Sequence, residues 1–166
     1  MSVTTQHTAR CACGRLEVIV EGEPSQVYVC HCDFCQRRSC NVFIASASFP
    51  ENQVISITGE TGCYNGLEID GVGAIGIPEG INYRFCVVGG SSVYFDFLLP
   101  TTGQRFFTVA LGSFVESVFS KPTVEFGTDF RHPWVPSIPD AVQLADPTGK
   151  DSKEAWRQFL EGRAEA

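Results

Sequence analysis

The sequence predicts a mostly β domain built of many short strands. Three observations point there. Apolar and β-prone residues fill short runs, at 16–20, 54–58, 82–86, 92–97 and 106–110. Turn-forming stretches such as Glu21-Gly22-Glu23-Pro24 and Pro100-Thr101-Thr102-Gly103 separate those runs. Helical spacing is convincing only at the end, where Asp151 and Glu154 form a capping box and Trp156, Phe159 and Leu160 recur on one face. That spacing predicts a helix over about 151–162 that caps the sheet.

In chain order, residues 1–10 are polar and expected to be loosely held. Cys11-Ala12-Cys13-Gly14 reads as a metal knuckle, with Gly14 free to take a positive φ. A strand over 16–20 and a short one over 27–29 follow, the second delivering Cys30. One helical turn is predicted over 36–39, and extended structure resumes over 42–45. Phe49-Pro50-Glu51-Asn52 is expected to break the chain before the strand at 54–58. From Gly59 to Gly80 there are seven glycines, few charges and one cysteine, Cys63, so both a meandering hairpin and a long functional loop fit. Short strands continue to about Phe126, and Arg131-His132-Pro133-Trp134-Val135-Pro136 reads as irregular.

Composition bounds the function. The 166 residues are expected to form a single domain, 1–166, because 43% are apolar and 13 are Phe, enough for a core without staples. Twelve basic against nineteen acidic residues give a net charge of −7, which argues against a nucleic-acid partner. No run of about 18 apolar residues suggests a membrane span. The first ten residues lack the apolar stretch of an export signal, so the expected location is cytoplasmic. In that compartment eight cysteines point to metal rather than disulfides. Pairs two residues apart, Cys11/Cys13 and Cys30/Cys32, also sit near the long limit of disulfide geometry.

The chemistry concentrates in Cys30-His31-Cys32-Asp33-Phe34-Cys35. Cysteines at C-x-C-x-x-C spacing can converge on one point and offer a soft three-sulfur pocket that suits zinc. Three protein ligands leave a fourth position for solvent or substrate, the mark of a reactive site. A closed knuckle with His31 or Cys40 as the fourth ligand is the alternative. His31 is expected to hydrogen-bond away from the metal, with a general-base role as the other possibility. Cys40 and Cys63 are expected to be buried free thiols. Arg37 and Arg38 either clamp carboxylates of a ligand or form a solvated pair. His132, ahead of Pro133-Trp134, is a candidate pocket residue.

Cys11-x-Cys13-Gly14, Cys30-His31-Cys32-x-x-Cys35, Phe85-Cys86-x-x-Gly89-Gly90 and the late Pro133-Trp134 together resemble the glutathione-dependent formaldehyde-activating family, which includes the centromere protein V proteins. The resemblance covers about 8–146. It implies a β-tent fold of short antiparallel strands and two zinc sites. By position it assigns Cys30, Cys32 and Cys35 to the catalytic site, and Cys11, Cys13 and Cys86 to a structural site. The family's fourth structural cysteine is Gly89 here, which has no side chain to coordinate anything. Three outcomes are open: solvent completes that site, Cys63, Cys40 or a histidine reaches in, or no metal binds.

The expectation is a zinc-dependent carbon–sulfur lyase handling thiol–aldehyde adducts such as S-hydroxymethylglutathione, with glutathione as a possible co-substrate. The alternatives are an enzyme acting on a larger carbonyl or sulfur-containing metabolite, a non-catalytic glutathione or zinc carrier, and a structural or chromatin-associated module, against which the acidic charge counts. The expected partner is a small thiol or aldehyde, and a homodimer suits a β-rich domain of this size.

Overall fold

A computed structural model describes residues 5–66, 80–99, 101–115, 119–146 and 149–160, without the side chains of 156, 157, 159 and 160. The middle of the Gly-rich segment and the apolar face expected at Trp156, Phe159 and Leu160 therefore lie outside the described residues.

Eleven strands are described, in two sheets. They are β1 (Gln6–Arg10), β2 (Glu17–Glu21), β3 (Gln26–Cys30), β4 (Ile44–Pro50), β5 (Val54–Thr58), β6 (Thr61–Asn65), β7 (Asn82–Cys86), β8 (Ser92–Leu98), β9 (Arg105–Ala110), β10 (Val124–Phe126) and β11 (Val142–Leu144). Among the described residues two α-helices accompany them, α1 (Asp33–Ser39) and α2 (Lys150–Leu160). The small sheet runs β1-β2-β5 and the large one β11-β10-β3-β4-β9-β8-β7-β6. All pairings are antiparallel except that β10 runs parallel to both β3 and β11.

Several expectations about local structure are corrected. The polar start is no loose end: Gln6–Arg10 pairs with β2, and Ala9 is fully buried. Every second side chain of β1 faces the core, and Arg10 meets its register partner Glu17 at 2.5 Å. The break expected at 49–52 is present: β4 ends at Pro50 and the 3-10 turn Glu51–Gln53 leads into β5. The helical turn predicted over 36–39 starts earlier, at Asp33, because Cys32 caps it. Beyond Phe126 the chain returns to the sheet once more, as β11.

The large sheet separates two cores, and each carries one group of cysteines. Tyr28, Tyr83, Phe95, Phe97, Phe106 and Phe126 pack with Cys30 and Cys32. Leu16, Val18, Val20, Phe49, Val93 and Val109 pack with Cys11 and Cys86. Most of the Phe excess is thereby spent on packing, whose burial stabilises by about 1.5–3 kcal/mol for each large side chain. Two polar clusters inside the large sheet are paired. Asp96 on β8 accepts from Arg84 Nε on β7 at 3.0 Å and from Arg105 Nη1 on β9 at 2.7 Å. Ser48 and Thr108, register partners on β4 and β9, share a hydroxyl–hydroxyl bond of 2.9 Å. Among the described residues no helix is long and apolar enough to cross a membrane.

Candidate metal centres

The end of β3 and the start of α1 build the first centre. β3 is buried along its whole length and carries Cys30 to the sheet's end. The chain then turns over His31, and Cys32 becomes the N-cap of α1: its Sγ accepts the Cys35 N–H at 3.4 Å, and its carbonyl accepts the Gln36 N–H at 3.0 Å. Capping by sulfur instead of the usual oxygen satisfies an orphan helix donor and aims the first turn's Cys35 at the same point. Cys30 Sγ lies 3.4 Å from Cys32 Sγ, and all three sulfurs lie within 4.8 Å of one another.

Without a metal the three thiols share their protons unequally. Hydrogen bonds from Cys30 and Cys35, helped by the Cys35 N–H, bring Cys32 down to about 3 despite its partial burial. Donation to Cys32 and Cys35, together with burial, pushes Cys30 well up. For Cys35 the bond with Cys30 lowers its value, but the bond with Cys32, burial and the neighbouring thiolate win and push it up to about 12. The centre therefore holds one thiolate near neutral pH and two thiols that a soft cation could displace protons from.

Around this centre the structure places groups that spacing could not reveal. His31 is 1% exposed, and its Nε2 donates to Glu125 Oε2 at 2.7 Å. Glu125 also accepts from Arg131 Nη1, the Ile138 N–H and Gln143 Nε2 at 3.3, 2.6 and 2.8 Å. Those bonds outweigh the cost of burial and hold the carboxyl below its ordinary value. His31 is thus engaged away from the sulfurs, as its hydrogen-bonding reading expects, and braces β3 against β10, β11 and the 131–138 segment. Gln36 ties the helix down: its Nε2 donates to the carbonyls of His31 and Phe130, and its Oε1 meets His132 Nε2 at 3.1 Å. His132, which stacks on Trp134 at 5.6 Å, is part of that brace. Gly127 has φ 67°, and a Cβ there would lie 2.9 Å from the Cys32 nitrogen. Only glycine allows the chain to turn so closely against the knuckle.

The two arginines separate. Arg37 is exposed and pairs with Asp33 one turn back at 2.6 Å. Arg38 is no solvated partner to it: its guanidinium lies 4.6 Å from the Tyr83 ring centroid and 5.7 Å from that of Phe95. Its Nε is buried with no hydrogen-bond partner among the described residues, and the charge is close enough to Cys35 to favour the thiolate there.

The second centre joins the 11–16 turn to the end of β7. Gly14, at φ 73°, closes the turn, and its N–H donates to the Cys11 carbonyl at 2.9 Å. Cys11 Sγ lies 3.4 Å from Cys13 Sγ, which lies 3.6 Å from Cys86 Sγ. Backbone N–H groups of Leu16 and Gly89 donate to Cys11 and Cys86 at 3.1 and 3.3 Å. Burial would raise Cys11, but the Leu16 N–H and the two other sulfurs bring it down to about 7.

Three convergent sulfurs with N–H donors behind them form a donor set that fits a soft cation at each place. No fourth His, Cys, Asp or Glu among the described residues joins either group. His31, Cys40 and Cys63 thus do not complete them. Cys40 and Cys63 are also exposed, not buried as expected, and all eight cysteines are free thiols. Cys40 is exposed because it ends α1 in the left-handed conformation at φ 52°. Cys63 lies on β6, at the edge of the large sheet. A cavity of about 500 Å³ is bordered by Arg10, Ala12, Ser39, Asn41, Ile44 and Ser91, and none of the six clustered cysteines lines it.

Fold and sites define a β-sheet protein with two three-cysteine groups, each able to hold a metal ion. A model of the glutathione-dependent formaldehyde-activating enzyme family matches residues 6–129, and the chain belongs to that family. The match spans both cysteine groups and Glu125. A comparison with curated proteins returned no match.

Proposed function

We propose that the protein is a zinc-dependent carbon–sulfur lyase that makes and breaks thiol–aldehyde adducts at Cys30, Cys32 and Cys35. The observation that carries this reading is the convergence of three sulfurs with no fourth protein donor among the described residues. Zinc held there would supply a Lewis-acidic open position at which an incoming thiol is kept as its thiolate. In the forward direction a sulfur–carbon bond forms, the carbonyl π bond breaks, and the thiol proton ends on the former carbonyl oxygen. The reverse step is the lyase reaction.

The chain's own groups support this chemistry. Cys32 is thiolate-ready, and its place at the helix N-cap fixes the sulfur against rotation. Arg38, held over Tyr83 with its charge close enough to Cys35 to favour a thiolate there, would also favour negative charge on a bound adduct. Cys11, Cys13 and Cys86 would hold a second zinc that ties the 11–16 turn to β7. Glutathione, a small peptide thiol, is the proposed co-substrate, and a soluble cytoplasmic protein without a nucleic-acid partner remains the proposed setting.

The test follows adduct formation by proton NMR from glutathione and formaldehyde, and then from larger aldehydes, with zinc-loaded protein. The expected result is a rate above the spontaneous one that Cys35→Ser abolishes. A wild-type rate equal to the spontaneous one with every aldehyde would leave a carrier and overturn the enzymatic reading.

A further inference from the structure

The group at Cys11, Cys13 and Cys86 is built differently from a closed structural site. Two of its sulfurs are buried, but Cys13 is exposed, and so is the neighbouring Gly89. Gly89 touches two members of the group: its N–H donates to Cys86 Sγ, and a Cβ built on it would lie 2.9 Å from Cys13 Sγ. A side chain at 89 would therefore enter the coordination sphere directly. Backbone conformation does not demand glycine there, since the left-handed residue of this turn is Gly90, at φ 69°. With glycine at 89, the solvent-facing side of the three-sulfur group has no protein ligand among the described residues.

We propose that Cys11, Cys13 and Cys86 form a second, ligand-exchangeable metal centre whose open side, at Gly89, takes a small thiol as its thiolate. An all-sulfur donor set selects a soft metal, and such a metal prefers a further soft ligand. Three thiolates leave a divalent cation able to accept a fourth donor, whereas four would close a tetrahedral site. On binding, one metal–sulfur bond forms, the thiol proton passes to buffer and a solvent molecule leaves. The centre draws on no residue of the Cys30 group, so the inference stands or falls separately from the proposed lyase activity.

Cadmium NMR of the reduced, cadmium-loaded full-length protein tests this without any turnover. Cys13→Ser removes one of two resonances and so assigns it to this centre. In the wild type that resonance is expected at a three-thiolate position and to shift as mercaptoethanol is added. In Gly89→Cys it is expected at the four-thiolate position, with the response to added thiol lost. A wild-type resonance already at the four-thiolate position, one that ignores added thiol, or no cadmium at this centre would each overturn the proposal. The wild-type titration decides even if Gly89→Cys, which must displace Cys13 slightly, does not fold.

Discussion

His31 Nε2 and Glu125 Oε2 lie 2.7 Å apart, and each side chain is 1% exposed. The pair joins residues 94 apart in sequence and binds the knuckle between Cys30 and Cys32 to the strand β10. Removing one member leaves the other's polar group buried and uncompensated, which costs about 3–5 kcal/mol when a buried pair is broken. Glu125→Gln is expected to lower unfolding stability by roughly 3 kcal/mol in urea titrations at neutral pH.

The same carboxylate sets an acid limit. Its folded value lies below the ordinary 4.5, so near that pH the unfolded chain binds the proton more readily. Its contribution is complete above the ordinary value and is lost as pH falls through the lower folded value. Melting temperatures recorded between neutral pH and pH about 3 should fall more steeply for wild type than for Glu125→Gln.

Metal uptake at the Cys30 group should be a proton-releasing reaction. Hydrogen bonds from Cys30 and Cys35 bring Cys32 down to about 3, whereas Cys35 is pushed up to about 12 and Cys30 is also well raised. Between those limits two thiols must be deprotonated for each metal bound, so apparent affinity should rise by about two log units per pH unit. Calorimetry of Cys13→Ser in buffers of different ionisation enthalpy counts those protons at this centre. A count near zero would mean that the thiols do not bind the metal as thiolates.

Gly127 is expected to tolerate no side chain. Gly127→Ala places a Cβ against the Cys32 backbone in a left-handed conformation, a strain of about 1–3 kcal/mol. The expected outcome is weaker metal retention at Cys30, Cys32 and Cys35, read as faster transfer to a chromogenic chelator, while the Cys11 group keeps its rate.

Arg38 should discriminate among thiols. Replacing it with Met keeps the apolar stem over Tyr83 but removes the charge. A charge-assisted hydrogen bond contributes about 1.5 kcal/mol, so KM for an anionic thiol should rise about tenfold while that for a neutral thiol changes little. Equal effects on both would assign Arg38 to packing alone.

Local pattern carried much of this structure. The runs at 54–58 and 82–86 are strands with those bounds; Cys30, Cys32 and Cys35 converge as their spacing suggests, and Cys11, Cys13 and Cys86 as the family resemblance implies. What spacing could not carry is contact across the sheet. Glu125 has no local signal, because its meaning comes from His31, Arg131, Ile138 and Gln143 arriving from separate segments. Arg38 looks like half of a basic pair until Tyr83 and Phe95 are placed beneath it. The β1 strand is polar in composition, and only pairing with β2 and the burial of Ala9 give it structure. Cys63 could not be ranked by type alone, since its exposure follows from lying on an edge strand.

The central claim is that Cys30, Cys32 and Cys35 form a metal centre. Metal per chain, measured by elemental analysis on wild type, Cys32→Ser and Cys13→Ser purified with zinc, tests it most directly. The account predicts that Cys32→Ser loses the metal of the Cys30 group and keeps that of the Cys11 group, and that Cys13→Ser shows the reverse. Wild-type protein without zinc, or zinc content unchanged by Cys32→Ser, would contradict it.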